Sequence, residues 1–316
     1  MELLNHPKAA HTFRRGKIKM MSSRQDRVLH LQVETEEMYW VFSPDRSRLL
    51  TGGDGTNPKV HIWDVETGNC LQVLNGHKEP VAALAWAEDQ RSVASGAFDR
   101  DVRLWDVASG ECLRVLAGHR SYVRSVDFCQ SRERLLSGSG DGAVRLWELA
   151  TGKTLQEFQG HREGVYHAVF NASRTRVLSG GRDRTIRLWE ISTGHCLRLI
   201  DATAHVQCLA WHSDQRRFLS CAGDIRLWDS ETGECLRVFE GHGDTIRSVA
   251  WSQDQRHILS ASHDRSVRIW ESETGRCIEV LRGHDECVVN AVWTLDRRSV
   301  LSCDSSGGLR AFTVDA

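Results

Sequence analysis

The stretch SGAFDRDVRLWD, residues 95–106, together with His77 upstream, holds the parts of a hydrolase triad. Ser95 would be the nucleophile, His77 its base and Asp99 the group that orients the base. Such a serine needs a hydroxyl open to solvent, an oxyanion hole and a cleft. The set does not stand alone. His77, Ser95, Asp99 and Trp105 are followed by His119, Ser137, Asp141 and Trp147, then by His161, Ser179, Asp183 and Trp189, and later by His242, Ser260, Asp264 and Trp270. Histidine to serine is eighteen residues each time, serine to aspartate four, and aspartate to tryptophan six. Catalysis has no use for four copies of one triad, whereas a repeated structural unit does. The set is read as scaffolding, and no enzymatic activity is expected. No phosphate-binding loop and no CxxC pair is present, so neither a cofactor nor a metal is expected.

The elements that hold these residues repeat with them. An aromatic ends an alternating run at Trp63, Trp105, Trp147, Trp189, Trp228, Trp270 and Phe312, at intervals of 42, 42, 42, 39, 42 and 42. A fixed period of this length marks a repeat architecture. Within a unit, a run such as SYVRSVDF (121–128) leads through a polar turn to a short segment ending in Leu-Ser or Ala-Ser. A tight turn with aspartate then precedes VRLW, and a TG or SG turn precedes CLRVL. Period-two alternation punctuated by turn residues predicts four short antiparallel strands per unit.

With Gly76-His77, Gly118-His119, Gly160-His161, Gly241-His242 and Gly283-His284 ahead of the units, and LWD, LWE or IWE closing them, the sequence resembles the WD-repeat (WD40) β-propeller family over about residues 27–316. Its regularity is most similar to bacterial members. The resemblance implies an all-β fold, a seven-bladed propeller with four strands per blade around a channel. It also implies that each His–Ser–Asp–Trp set is a hydrogen-bond chain: indole to serine, serine to histidine, histidine to aspartate. The expected domains are a basic N-terminal extension, 1–26, and one propeller, 27–316. A ring must close or leave a bare sheet edge. The last unit ends in LRAFTVDA without a fourth strand, and RVLHLQV (27–33) is a spare one, expected to complete that blade beside residues 309–313.

Three units depart from the pattern. The first pairs Thr51 with Trp63 but has no histidine, and its turn is two residues longer. The fifth is three residues shorter and has Ala202-Thr203 where Gly-His belongs, with His205 the available substitute. The last has His284 and Ser302, but Ser306 and Phe312 stand in the aspartate and tryptophan positions. These blades are either looser or shaped by a binding surface.

In the family, partners bind the face built from the loops before the first strand and between the second and third. The resemblance carries three positions per unit to that face. One holds Met38, Ala82, Arg124, Tyr166, Gln207, Arg247 and Val289. A second, two residues earlier, includes Pro80, Tyr122, Gly164, His205 and Thr245. The third, before the turn aspartate, holds Phe98, Gly140, Arg182, Gly223 and His263. Phe98, Tyr122, Arg124, Tyr166, Arg182, Arg247 and His263 are the candidate contact residues, because arginine and aromatic side chains dominate interface hot spots. Arginines without matched acids favour carboxylate or phosphate. The expected function is a scaffold for a protein or peptide partner carrying an acidic or phosphorylated element. The alternative is nucleic-acid binding through this rim and the basic arm at Lys8, Arg14, Arg15, Lys17, Lys19 and Arg24.

Bulk properties narrow the rest. A net charge of −1 gives no overall electrostatic grip on nucleic acid or anionic membrane. No apolar run is long enough for a membrane span, and no secretory signal is recognised. Five of the ten cysteines, at 70, 112, 196, 235 and 277, open strand-like runs as a reused small apolar residue. Reduced thiols, a cytoplasmic location and a monomeric ring, free or within a larger complex, are expected. Arg103, Arg145, Arg187, Arg226, Arg268 and Arg310, each two residues before the closing aromatic, are read as inter-blade structure with acidic partners.

Overall fold

The computed structural model describes residues 26–30, 39–129, 133–296 and 298–314. They form seven four-stranded antiparallel sheets, and no helix is present among them. Blade 4 shows the plan. Val165–Phe170 is its inner strand, followed by Arg176–Gly181, Thr185–Glu190 and the outer strand Cys196–Asp201. The third strand alternates toward the core, whereas the outer strand is exposed except for Ile200. The cysteines at 70, 112, 196, 235 and 277 each begin an outer strand.

The core lies between blades rather than inside them. Trp105 of blade 2 packs against Leu50, Ile62 and Leu74 of blade 1, and Trp147 of blade 3 against Leu104 and Leu116 of blade 2. Trp189, Trp228, Trp270 and Phe312 plug the preceding blade in the same way. Trp63 reaches Cys303 and Leu309 of blade 7, which closes the circle. The 42-residue interval is thus the spacing of seven equivalent plugs. A large buried aromatic in each seam is what makes single blades, unstable alone, into one body.

The ring also closes through the backbone. Ser299–Asp304 and Gly308–Thr313 follow the inner strand Val288–Trp293 of blade 7, and its fourth strand is Asp26–His30. Its register runs antiparallel from Asp26 opposite Phe312 to His30 opposite Gly308. The segment expected to complete the last blade does so; its residues 31–33, like 1–25 of the basic extension, lie outside the described residues.

The inner strands are stapled across most seams by side chains at one register position. Ser125 Oγ accepts from Ala168 N at 2.9 Å, His167 Nδ1 from Leu209 N at 3.2 Å and Ser248 Oγ from Ala291 N at 3.3 Å. Asn290 Nδ2 donates to Trp40 O at 2.8 Å, joining blade 7 to blade 1. Trp86 Nε1 donates to Val41 O at 3.1 Å across the next seam.

Candidate partner-binding face

The four complete braces have nearly the same geometry. In blades 2, 3, 4 and 6 the indole Nε1–H donates to the serine Oγ at 2.7–2.8 Å. The serine Oγ lies 2.7 Å from histidine Nε2, and histidine Nδ1 lies 2.8–3.1 Å from the aspartate. Every polar atom is matched when Nδ1 carries the imidazole proton and the serine hydroxyl donates to Nε2. All four serines are 0% exposed, so none presents a nucleophile to a substrate. The aspartate also accepts from the backbone N–H of the residue after the histidine, as Asp183 does from Arg162 N at 3.0 Å, and so ties the loop before the inner strand to the turn after the second.

The glycine before each histidine has a steric cause. A Cβ at Gly160 would lie 2.7 Å from Arg187 Nη1 and 3.1 Å from the Trp189 ring, and one at Gly241 would lie 2.6 Å from Arg268 Nη1. The repeated arginines are therefore packed over the Gly-His loops. Arg145 pairs with Glu157 at 2.9 Å and Arg226 with Asp224 at 2.9 Å, while Arg187 and Arg268 lie over the rings of Trp189 and Trp270, each 5.8 Å from the centroid.

The exceptional blades are resolved individually. In blade 1, Trp63 donates to Thr51 Oγ1 at 2.9 Å. In blade 5, Trp228 donates to Ser220 at 2.8 Å, but His205 is exposed and does not replace the missing histidine. Its ring instead meets Tyr166 edge-on at 6.5 Å. Blade 7 corrects the sequence reading: His284 bonds Ser302 and also Asp304, both at 2.7 Å. The carboxylate comes from two residues before Ser306. It fits because position 308 is glycine, where a Cβ would sit 2.4 Å from Asp304 Oδ2.

Two predictions follow from the braces. Ser179→Ala leaves both the Trp189 N–H and His161 Nε2 without a partner, and is expected to cost about 2–4 kcal/mol. Ser220→Ala strands the indole alone and should cost about half as much. Urea denaturation of the two variants checks the ratio; equal losses would contradict it. The second concerns pH. Burial lowers the His242 pKa, against the pull of Asp264. A depressed histidine contributes stability above its unfolded pKa, about 6.5, and that stability is lost as pH falls from there toward the folded value. Burial opposes ionisation of Asp264, but hydrogen bonds from Ser266, His242 and Gly243 N outweigh it and hold its pKa at about 2. Its contribution is present above about pH 4 and disappears as pH approaches 2. Urea midpoints should decline in two steps, below pH 6.5 and again below pH 4, and His242→Gln should remove much of the first.

The channel mouth is built by bulges. In blades 2, 3, 4, 6 and 7 the inner-strand register slips at its second residue, leaving Ala82, Arg124, Tyr166, Arg247 and Val289 without a cross-strand partner. A bulge re-aims the extra side chain. Here all five line a channel-mouth cavity of about 330 Å³, together with Gln207 and Tyr39. The Arg124 guanidinium lies 4.4 Å from the Tyr166 ring centroid and 5.9 Å from that of Tyr39. Arg247 approaches Tyr39 from its own side, also at 5.9 Å, and donates to Gln207 Oε1 at 3.5 Å. No carboxylate lines this cavity among the described residues.

The other candidates divide. Phe98 and Tyr122 stack across the blade 2–3 seam, 4.9 Å apart at 19°, with Phe98 44% exposed. Tyr122 occupies the space left by Gly140, where a Cβ would lie 2.6 Å from its ring. His263 lies within the field of Arg247; burial and then that charge lower its pKa. Arg182 departs from the expectation of unmatched arginines. It is exposed and paired with Glu163 at 3.0 Å, and it does not line the cavity. The cause is the bond from Arg182 N to Gly164 O at 2.8 Å, which draws the two loops together. Tyr39 was not singled out from the sequence. Its neighbour Met38, assigned to the ring, lies outside the described residues.

Among the described residues no helix is long and apolar enough to cross a membrane, and no group of three or more histidine, cysteine or acidic side chains is placed to hold a metal. The sequence model of the WD domain, G-beta repeat, matches residues 68–106, 110–148, 152–190, 194–229 and 233–271, more than half of the chain. The chain belongs to the WD40 repeat family. The five WD40 matches begin at the turn before an outer strand and leave out most of blade 1 and all of blade 7, two of the three blades in which the brace is altered. Periodic tryptophan protein 2 of Saccharomyces cerevisiae is 33% identical over 55 residues, 17% of this chain and 6% of the relative. Serine-threonine kinase receptor-associated protein of Dictyostelium discoideum is 38% identical over 60 residues, 19% of this chain and 20% of the relative. The THO complex subunit 6 homolog of Danio rerio is 40% identical over 63 residues, 20% and 19% respectively. These matches span one-fifth or less of each relative and cover up to about one and a half repeats.

Proposed function

We propose that this WD40 ring is a non-catalytic scaffold holding a protein or peptide partner over the channel mouth, with an acidic or phosphorylated side chain seated between Arg124 and Arg247. The observation that carries the reading is two bulge-presented guanidiniums in a cavity that no carboxylate lines among the described residues. Tyr39 and Tyr166 hold them by their ring faces, which leaves guanidinium N–H groups beyond the one Arg247 gives Gln207 for forked hydrogen bonds. The Phe98–Tyr122 stack supplies an adjacent apolar contact. Relatives whose names place them in a complex, such as the THO complex subunit 6 homolog, support a role within a larger assembly. Thiols kept reduced agree with a cytoplasmic setting.

An array of short peptides, each present in phosphorylated, glutamate-substituted and neutral form, tests the reading. The protein should retain the anionic forms and release the neutral ones. Equal retention of neutral copies would contradict an anionic anchor. Retention of bare single-stranded nucleic acid, with a steep loss as salt rises, would instead favour the nucleic-acid alternative.

A further inference from the structure

The first two strands of blade 5 carry two thiols that neither the braces nor the proposed anion anchor employs. Cys208 begins its inner strand, Cys208–Trp211, and Cys221 ends the next, Arg217–Cys221. The two are direct register partners in the antiparallel ladder. Opposed residues in such a ladder have Cα atoms about 4.5–5.5 Å apart, within the roughly 4.4–6.8 Å that a disulfide spans. No other two cysteines share a register position among the described residues.

The pair is also chemically unequal. Cys208 is half-buried and lines the channel cavity, whereas Cys221 is 0% exposed. A hydrogen bond from the Cys221 thiol holds the Cys208 thiol below the usual range although burial opposes this. Burial, followed by the neighbouring Cys208, pushes Cys221 up. A half-buried thiol that lines a cavity, placed beside a fully buried partner thiol, is the arrangement of an attacking and a resolving cysteine.

We propose that Cys208 and Cys221 form a peroxide-responsive dithiol in the channel wall. The Cys208 thiolate attacks one oxygen of a hydroperoxide. The S–O bond forms, the O–O bond breaks, and the departing oxygen takes up a proton to leave as water or an alcohol. Cys221 then loses its proton and attacks the Cys208 sulfenic sulfur; the S–O bond breaks and the hydroxyl leaves as water. Two thiols and one hydroperoxide thus give one disulfide, one alcohol or water, and one further water, with two electrons passing from sulfur to oxygen. A thiol reductant reverses the change.

The full chain is treated with stoichiometric hydrogen peroxide, its remaining thiols are alkylated under denaturing conditions, and it is cleaved with trypsin without reduction. Cleavage after arginine puts Cys208 in fragment 199–216 and Cys221 in fragment 218–226, each with a single cysteine. The expected result is one bridged pair of these fragments that dithiothreitol separates, formed severalfold faster than oxidation of the exposed Cys112 and Cys196. In Cys221→Ser, dimedone should trap a sulfenic acid on Cys208. In Cys208→Ser, Cys221 should stay reduced. Unbridged, fully alkylated fragments at a peroxide dose that oxidises Cys112 would overturn the proposal. So would a wild-type chain in which Cys221 oxidises and Cys208 does not. The wild-type fragment map decides the matter even where a serine variant fails to fold.

Discussion

Removing residues 1–30 is expected to abolish the cooperative melting of the whole ring. The strand Asp26–His30 contributes five register pairs to blade 7. At a net contribution of about 1 kcal/mol per backbone hydrogen bond, its ladder is worth about 5 kcal/mol. Typical domains have only about 5–15 kcal/mol in total, so the loss is comparable to the whole. The effect is also not confined to one blade. Blade 7 supports blade 1 through the Trp63 plug and the Asn290–Trp40 bond, so loosening it opens the circle. The strand Gly308–Thr313 would then be a bare edge, prone to pairing between molecules. Val28→Pro/Leu29→Pro is the milder version: at least one proline removes a donor from the ladder, and the melting temperature should fall by many degrees. Calorimetry checks both. A deletion that melts within 2 °C of the intact chain would contradict closure by this strand.

The second large effect belongs to the channel mouth. Arg124→Ala/Arg247→Ala should weaken binding of an anionic peptide by at least about 100-fold, since each arginine at a desolvated anchor is worth about 1.5–3 kcal/mol. Melting should be nearly unchanged, because both residues are bulge side chains outside the ladder and neither forms an ion pair with a neighbour among the described residues. Arg182→Ala is the control. Its charge is already matched by Glu163, so its removal should alter binding severalfold at most. Titration calorimetry with one phosphorylated peptide and all three proteins measures the contrast. Comparable losses from Arg124→Ala/Arg247→Ala and from Arg182→Ala would indicate a diffuse basic surface rather than an anchor.

The parts of this molecule that were legible in the sequence are those set by short-range spacing. Four braces share one set of intervals because each joins a loop, a strand end and a third strand of one blade, whose lengths the turns fix. The closing strand was legible because a ring with an odd edge demands one, and only one run was left over. What escaped depends on register or on contacts between loops. The resemblance already carried Arg124 and Arg247 to the partner face, but the bulge that turns them inward shifts the ladder without leaving a turn residue as its mark. Asp304 replaced the expected aspartate because Gly308 left room for its carboxylate, a relation visible only once the turn is built. Glu163 neutralises Arg182 across two loops that a single backbone bond draws together. The Cys208–Cys221 pair appears only when the shortened blade is put in register.

The most direct measurement is a quantitative capture from native cell lysate with the wild-type chain beside Arg124→Ala/Tyr166→Ala/Arg247→Ala, with Ser220→Ala as a variant that leaves the mouth intact. A protein held by the wild type and by Ser220→Ala but lost from the triple variant is the predicted result, and dephosphorylating the lysate or blocking its acidic groups should release it. A partner held equally by all three proteins would contradict the account, and would place its site on the blade edges, the opposite face or the basic arm.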